Sequence, residues 1–281
     1  MKKNIFIEGM QGTGKSTLLR ELSKHLSGYN AYYEGDLSPV ELAWCSYMTK
    51  DEFEATVSLY ETWSSELEHF SMTEPDGHVV VAYTRILTEM PAFYQFMEGY
   101  EIYNGRVDFD TFRNIIQKRF SSFVGEGNLF ECSFFQNSIE SMILYYQMED
   151  DEIVSFYQES YEILKEKGFR LLYLDSDRIR ENILQIKKER TDNQGNELWF
   201  SLMLNYLKES PYGKAHGYQD LEDMIEHFSH RRKLETRIIN EVIKGDCLVL
   251  TAKDYKLEEV LKYLGEDGAS HANPEGCLFR G

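Results

Sequence analysis

The chain has 281 residues, with 30 Lys+Arg against 48 Asp+Glu and a formal net charge of −18. That balance repels nucleic-acid backbones and anionic membrane, and 42% hydrophobic residues, 14% aromatics and only 5 Pro exclude a disordered chain. Cys45, Cys132, Cys247 and Cys277 lie far apart without metal-ligand spacing, which reads as a reduced, cytoplasmic chain.

No apolar run approaches the roughly 18 residues of a membrane span, and the opening MKKNIFIEGMQG is interrupted too soon for a signal peptide. Short apolar runs alternate with helical patterns, which predicts an α/β fold with a mainly parallel sheet covered by helices. Ile5-Phe6-Ile7 is the first strand, followed by a Gly-rich turn and a helix with Leu18, Leu19, Leu22 and Leu26 at helical spacing. Ala31-Tyr32-Tyr33 fits a second strand, ending in Glu34 and Asp36. Thr49 to Glu52 reads as a capping box, and Phe53, Val57, Tyr60, Trp63, Leu67 and Phe70 continue as one helical stripe. Val79 to Tyr83 is strand-like after an Asp76-Gly77 turn.

Helices follow around 91–99 and 109–123, then the strand Asn128-Leu129-Phe130 with Glu131 at its end. Helical patterns cover 136–148 and 152–167, and Phe169 to Leu174 is a further strand. A charged helix from Asp177 to Arg190 leads to a polar break, TDNQGN. Long helices fit 197–209 and 219–243, Cys247 to Leu250 is the last strand, and Leu257, Val260, Leu261 and Leu264 mark a closing helix. The segment 266–281 has no periodicity and is expected to be a mobile tail.

The sharpest signal is Gly9-Met-Gln11-Gly12-Thr13-Gly14-Lys15-Ser16-Thr17, which matches GxxxxGK[ST] between an apolar strand and a Leu-rich helix. Glycines let the backbone wrap a phosphate without Cβ clashes, and the N–H groups at the helix start point at the anion. Lys15 then reaches the β- and γ-phosphates of ATP, and Ser16 is a ligand for Mg²⁺. In an acidic chain this loop is where a triphosphate finds local positive charge.

Three further features favour phosphoryl transfer to a small molecule over a switch. Glu34 and Asp36 follow a strand end, where a carboxylate can take the proton of an attacking hydroxyl; a turn acid or helix cap is the plain alternative. Glu131-Cys132-Ser133 also sits at a strand end, where Glu131 suits Mg²⁺; here the alternative is a helix start capped by Ser133. Arg178, Arg180, Lys187, Lys188 and Arg190 form a basic segment that suits a lid over the transferring phosphoryl group, or else a solvated helix face. His227 and His230 lack a third ligand nearby, and His230-Arg231-Arg232-Lys233 reads as a surface face.

On the loop, the strand-end acids and the closing LTAKDYKLEEVLKYL, the chain resembles the P-loop kinase superfamily in its thymidylate-kinase and deoxynucleoside-kinase-like branch. Glu34 lies close to where deoxynucleoside kinases carry their base. Glu131-Cys132-Ser133 is similar to their Glu-Arg-Ser motif, with Cys132 in place of Arg, and Gly35 stands where Pro usually follows the Glu. The resemblance implies a three-layer αβα P-loop fold and a single domain over 1–265. It also implies a lid at about 176–196 and an adenine preference, whereas the aromatic-rich stretch at about 45–127 departs from that branch and reads as a mostly helical insertion. It implies transfer of the γ-phosphoryl group of ATP, with Mg²⁺, to a hydroxyl or phosphate of a small-molecule substrate such as a nucleoside or nucleotide. Lys15, Glu34 or Asp36, and Arg178 or Arg190 would be the catalytic groups. Trp44, Trp63, Tyr83, Arg85, Tyr103 and Arg106 in the insertion are candidates for the acceptor pocket, or plain core. No nucleic-acid or membrane partner is expected; a homodimer is compatible with the sequence. The competing readings are a regulatory P-loop ATPase, for which Leu171 to Asp175 resembles a Walker B strand, and a non-catalytic nucleotide-binding module, suggested by Cys132.

Overall fold

Ile5, Phe6 and Ile7 are apolar on both faces, as a strand covered on both sides must be. They lie in β1 (Asn4–Gly9), every residue of which is buried. The structure is a computed structural model that describes residues 2–191, 195–265 and the backbone of 278–280. The chain divides into two compact units, one formed by Met1–Ala31 with Gly125–Gly281, the other by Tyr32–Val124.

The first unit is built on a parallel sheet flanked by helices. The strands are β1, β2 (Asn30–Tyr32), β6 (Asn128–Glu131), β7 (Phe169–Asp175) and β8 (Cys247–Thr251), in the order β2-β6-β1-β7-β8. A short β9 (Leu278–Arg280) runs parallel to β8. Of the tail expected from 266, residues 266–277 and 281 lie outside the described residues, as do 192–194 of the expected lid. The register places Ile7 beside Glu131 and Gly9 beside Leu174, so the carboxyl ends of three strands stand together.

Phe6 anchors this centre against Phe130 and Phe169, each with ring centroids 4.9 Å away. Truncating a fully buried Phe costs about 3–5 kcal/mol, so this cluster is a large share of the unit's stability. At the other end of β1 the Asn4 side chain donates to Lys167 O (2.7 Å) and accepts from Asn128 Nδ2 (2.8 Å), fixing β1 against both neighbouring segments.

Helix α1 (Lys15–His25) buries Leu18, Leu19 and Leu22, the stripe read from the sequence. Later come α6 (Gln136–Leu144), α7 (Asp150–Lys165), α8 (Ile179–Glu189), α9 (Leu198–Glu209), α10 (Pro211–His216), α11 (Leu221–Ile238) and α12 (Leu257–Gly265). The single helix expected over 219–243 stops sooner. Asp220 caps α11 by accepting from Glu222 N, and after Ile238 the chain widens into a π turn that ends at Lys244 with φ 55°.

The second unit holds a three-stranded antiparallel sheet in the order β3-β5-β4, from Ser46–Met48, Val79–Val81 and Ser71–Thr73. Its helices are α2 (Lys50–Leu59), α3 (Ser64–His69), α4 (Pro91–Glu98) and α5 (Phe109–Ser122). The capping box at the start of α2 is present, with Glu52 accepting from Thr49 N at 2.7 Å. The helical stripe expected from Phe53 to Phe70 is broken at Tyr60 by a tight 3₁₀ turn. That turn brings Tyr60 and Trp63 onto one ring, Phe93, at 5.1 and 5.7 Å. Met48, Val79, Val81, Phe93 and Met97 form the core behind them. This unit begins before the expected insertion at 45, and its sheet adds strands to what the sequence predicts as mostly helical.

Candidate functional site

The strand end of β1 passes directly into the glycine loop and α1. Gly9 has φ 140°, and a Cβ there would lie 2.4 Å from Leu174 O, so β7 and the positive φ both require glycine. Gly14 also has a positive φ, 100°, and is the N-cap of α1 without a side-chain cap. The first N–H groups of a helix have no intrahelical acceptor, so this cap leaves donors for an anion.

Thr13 Oγ1 donates to Met10 O at 2.7 Å and closes the loop on itself. Lys15 is buried, and its Nζ folds back to donate to Gly9 O (2.7 Å) and Met10 O (3.0 Å). The ammonium is thus held at the mouth of the loop by two exchangeable carbonyls. Gln11 Oε1 is buried without a hydrogen-bond partner among the described residues.

Ser16 Oγ donates to Glu131 Oε1. This contact joins the start of α1 to the end of β6, the strand beside β1. A hydroxyl and a carboxylate are the hard oxygen donors that Mg²⁺ prefers, so the pair fits that ion. Beyond Glu131, Cys132 takes φ 54° and its N–H donates to Ile7 O at 3.2 Å. Ser133 donates to Glu131 O (2.9 Å) and does not cap α6, which begins at Gln136 with Phe135 as its N-cap. The Cys132 thiol is buried and donates to Gln136 Oε1 at 3.4 Å.

Helix α8 covers the loop. A Cβ on Gly12 would lie 2.6 Å from Ile186 Cδ1 and 3.8 Å from Asn182 O. Arg178 and Arg190 are the N-cap and C-cap of this helix. At 1.5 Å per residue they are about 18 Å apart, too far to serve one phosphoryl group together. Arg178 and Arg190 are both exposed, and the Arg190 guanidinium lies 6.0 Å from the Trp199 ring centroid. Arg180 pairs with Glu222, and Lys187 pairs with Glu197 at 3.0 Å over the Phe200 ring. After β8, Lys253 has φ 64° and reaches Gln185 Oε1 of α8 at 3.4 Å.

Glu34 and Asp36 belong to the second unit. Tyr33 to Asp36 is a turn closed by Asp36 N–H to Tyr33 O (3.0 Å), with Gly35 at φ 84°, a value that explains glycine where Pro would not fit. Asp36 accepts from Tyr33 N at 2.8 Å and forms an ion pair with Arg85, whose Nε also donates to Gly35 O. Asp36 therefore has the turn role weighed against catalysis. Glu34 accepts from Trp44 Nε1 at 3.2 Å. In the same unit burial pushes the Glu101 carboxyl up to about 7, despite the hydrogen bond from Tyr83 OH at 2.7 Å, and Arg106 pairs with Glu98.

Two features escaped the sequence reading. In the basic run 230–233 Lys233 is exposed, but Arg231 and Arg232 are committed to acids. Arg231 is fully buried, donating from Nε to Glu235 (2.8 Å) and from Nη1 to Glu140, while Arg232 holds Asp175 with two bonds of 2.6 and 2.7 Å. His227 Nε2 meets Glu140 at 2.6 Å and His230 Nε2 meets Asp150 at 2.8 Å. Burial raises the Glu140 carboxyl, but His227 and Arg231 outweigh it and hold the group down at about 2. The other missed residue is Glu8, a buried acid inside the apolar run of β1. An acid placed directly before the first loop glycine was the available signal. Among the described residues no helix is long and apolar enough to cross a membrane. Neither a protein-family model nor a curated protein matches the chain.

Proposed function

We propose that the chain is a P-loop phosphotransferase that moves the γ-phosphoryl group of ATP to a hydroxyl or phosphate of a small molecule, a nucleoside, nucleotide or other metabolite. The observation that carries this reading is the meeting of Ser16 with Glu131 at the mouth of a glycine loop that follows a central parallel strand. On this reading the sheet and its helices are a three-layer αβα P-loop fold, and β6 supplies the acid beside the loop.

The loop N–H groups from Gly9 to Thr17 and the start of α1 bind the phosphates. Lys15 would exchange its carbonyl partners for β- and γ-phosphate oxygens, and Ser16 and Glu131 would hold Mg²⁺. When bound, that ion neutralises charge developing on the phosphates. Arg178 or Arg190, one of the two, stabilises the transferring group. Glu34 or Asp36 is the base that the resemblance alone offers, and Asp36 is already paired with Arg85. The Walker B reading of Asp175 is disfavoured by its two bonds to Arg232.

The test is ATP consumption measured against nucleosides, nucleoside monophosphates and hydroxylated metabolites or antibiotics. A low basal rate raised strongly by one acceptor is the expected result. Hydrolysis that no acceptor stimulates would instead favour a regulatory ATPase.

A further inference from the structure

Glu8 occupies a place where an apolar residue would be stable by default. The middle strand of a parallel sheet is buried on both faces, and a carboxyl group there has a desolvation cost. Its Oε1 accepts from Phe134 N–H at 2.7 Å, and its Oε2 has no hydrogen-bond partner among the described residues. Burial pushes the group up to about 8; Glu235 adds to the rise, while the Phe134 and Phe135 N–H groups and the Lys15 ammonium oppose it. Glu235 is itself engaged by Tyr173 OH (2.7 Å) and Arg231 Nε (2.8 Å).

The hydrogen bond from Phe134 is informative. Phe134 belongs to the turn that follows Glu131, and Cys132 in that turn has a strained positive φ of 54°. Other bonds hold the turn as well: Cys132 N–H to Ile7 O, Ser133 Oγ to Glu131 O, Asn137 Nδ2 to Cys132 O and Tyr157 OH to Phe134 O. The Glu8 bond is the side-chain tie from the loop strand. The next residue, Gly9, offers the carbonyl that holds Lys15.

We propose that Glu8 is a positioning residue: its carboxyl oxygen fastens the turn after β6, and with it the Glu131 carboxylate, to the strand that carries the phosphate loop. The functional part of this inference rests on the phosphotransferase reading; the structural part does not. Groups that hold a metal-binding carboxylate in place commonly matter for metal affinity although they never touch the ion.

The experiment compares Glu8→Gln, which keeps the acceptor oxygen, with Glu8→Met, which keeps the length and removes it. Two readouts are taken: amide hydrogen exchange at residues 132–136, and the Mg²⁺ concentration that half-saturates binding of a fluorescent ATP analogue. Glu8→Met is expected to speed exchange at Phe134 and to raise the half-saturating Mg²⁺ by about tenfold each, the scale of one hydrogen bond. Glu8→Gln is expected to match the wild type in both. If Glu8→Met does not fold, Glu8→Asp retracts the oxygen by one methylene and is expected to show the same pair of changes at about threefold. Exchange unchanged in the acceptor-free variant, or equal losses in Gln and Met variants, would overturn the proposal. If wild-type protein fails to bind the analogue at all, the phosphotransferase reading falls, and the exchange data alone still decide whether Glu8 fastens the turn.

Discussion

Glu131 is the last residue of β6 and Asp36 lies in the turn after β2, one acid in each compact unit, and their surroundings differ. Glu131 meets a hydroxyl, Ser16, at the start of a helix whose N-terminal donors are exposed by a glycine cap. Asp36 meets Arg85 and a turn N–H. The first carboxylate has a partner that a divalent cation can share, whereas the second already has its cation. Glu140 is a third case, fully committed to Arg231 and His227 in the interior. Position at a strand end therefore nominates an acid for chemistry, and the partner it has acquired decides.

That contrast can be broken most severely at the loop. Lys15→Ala is expected to lower kcat/KM by about 10³-fold, the scale of losing a transition-state donor, with circular dichroism near wild type. Full turnover in that variant would remove the basis for assigning phosphoryl transfer to this end of the sheet. Arg231→Met leaves Glu140 and Glu235 buried without their guanidinium, and should destabilise the fold by about 3–5 kcal/mol in urea unfolding. A neutral result would show that the buried acids are not held as ions.

The same cluster has a pH signature. Glu140 sits at about 2 in the folded protein against 4.5 for an ordinary Glu. A carboxyl lowered by folding stabilises fully above the ordinary value and loses that contribution as pH falls from about 4.5 towards 2. Glu140→Gln should flatten the melting-temperature curve in that acid window, while an unchanged slope there would assign the acid limb to other carboxyls. Glu34→Gln is expected to cost about 10²-fold in kcat as loss of a general base. Asp36→Asn, at a partly exposed pair, should change stability by less than about 1 kcal/mol and leave turnover within a few-fold of wild type. If Asp36→Asn is the damaging substitution of the two, the assignment of the base is reversed.

Much of the first unit is legible because its signals are local. The glycine loop, the Leu stripe of α1 and the strand ending in Glu131 each lie within a dozen consecutive residues. The capping box at Thr49 and the strand at Val79 to Val81 are legible in the second unit for the same reason. What was missed depends on distant partners. β3 and β4 are three residues each and gain their identity by pairing with β5. The run 230–233 reads as solvated until Glu140 and Asp175, remote in sequence, are brought against Arg231 and Arg232. The helical stripe through Tyr60 fails because two aromatic side chains converge on Phe93, a demand that local periodicity does not express.

The central claim, that Ser16 and Glu131 form the metal-assisted triphosphate site, is tested most directly by calorimetric titration of ATP with and without Mg²⁺. Wild-type protein should bind ATP with an affinity that Mg²⁺ strengthens, Glu131→Gln should bind ATP without that strengthening, and Asp36→Asn should behave as wild type. No ATP binding by the wild type, or an intact Mg²⁺ effect in Glu131→Gln, would contradict it.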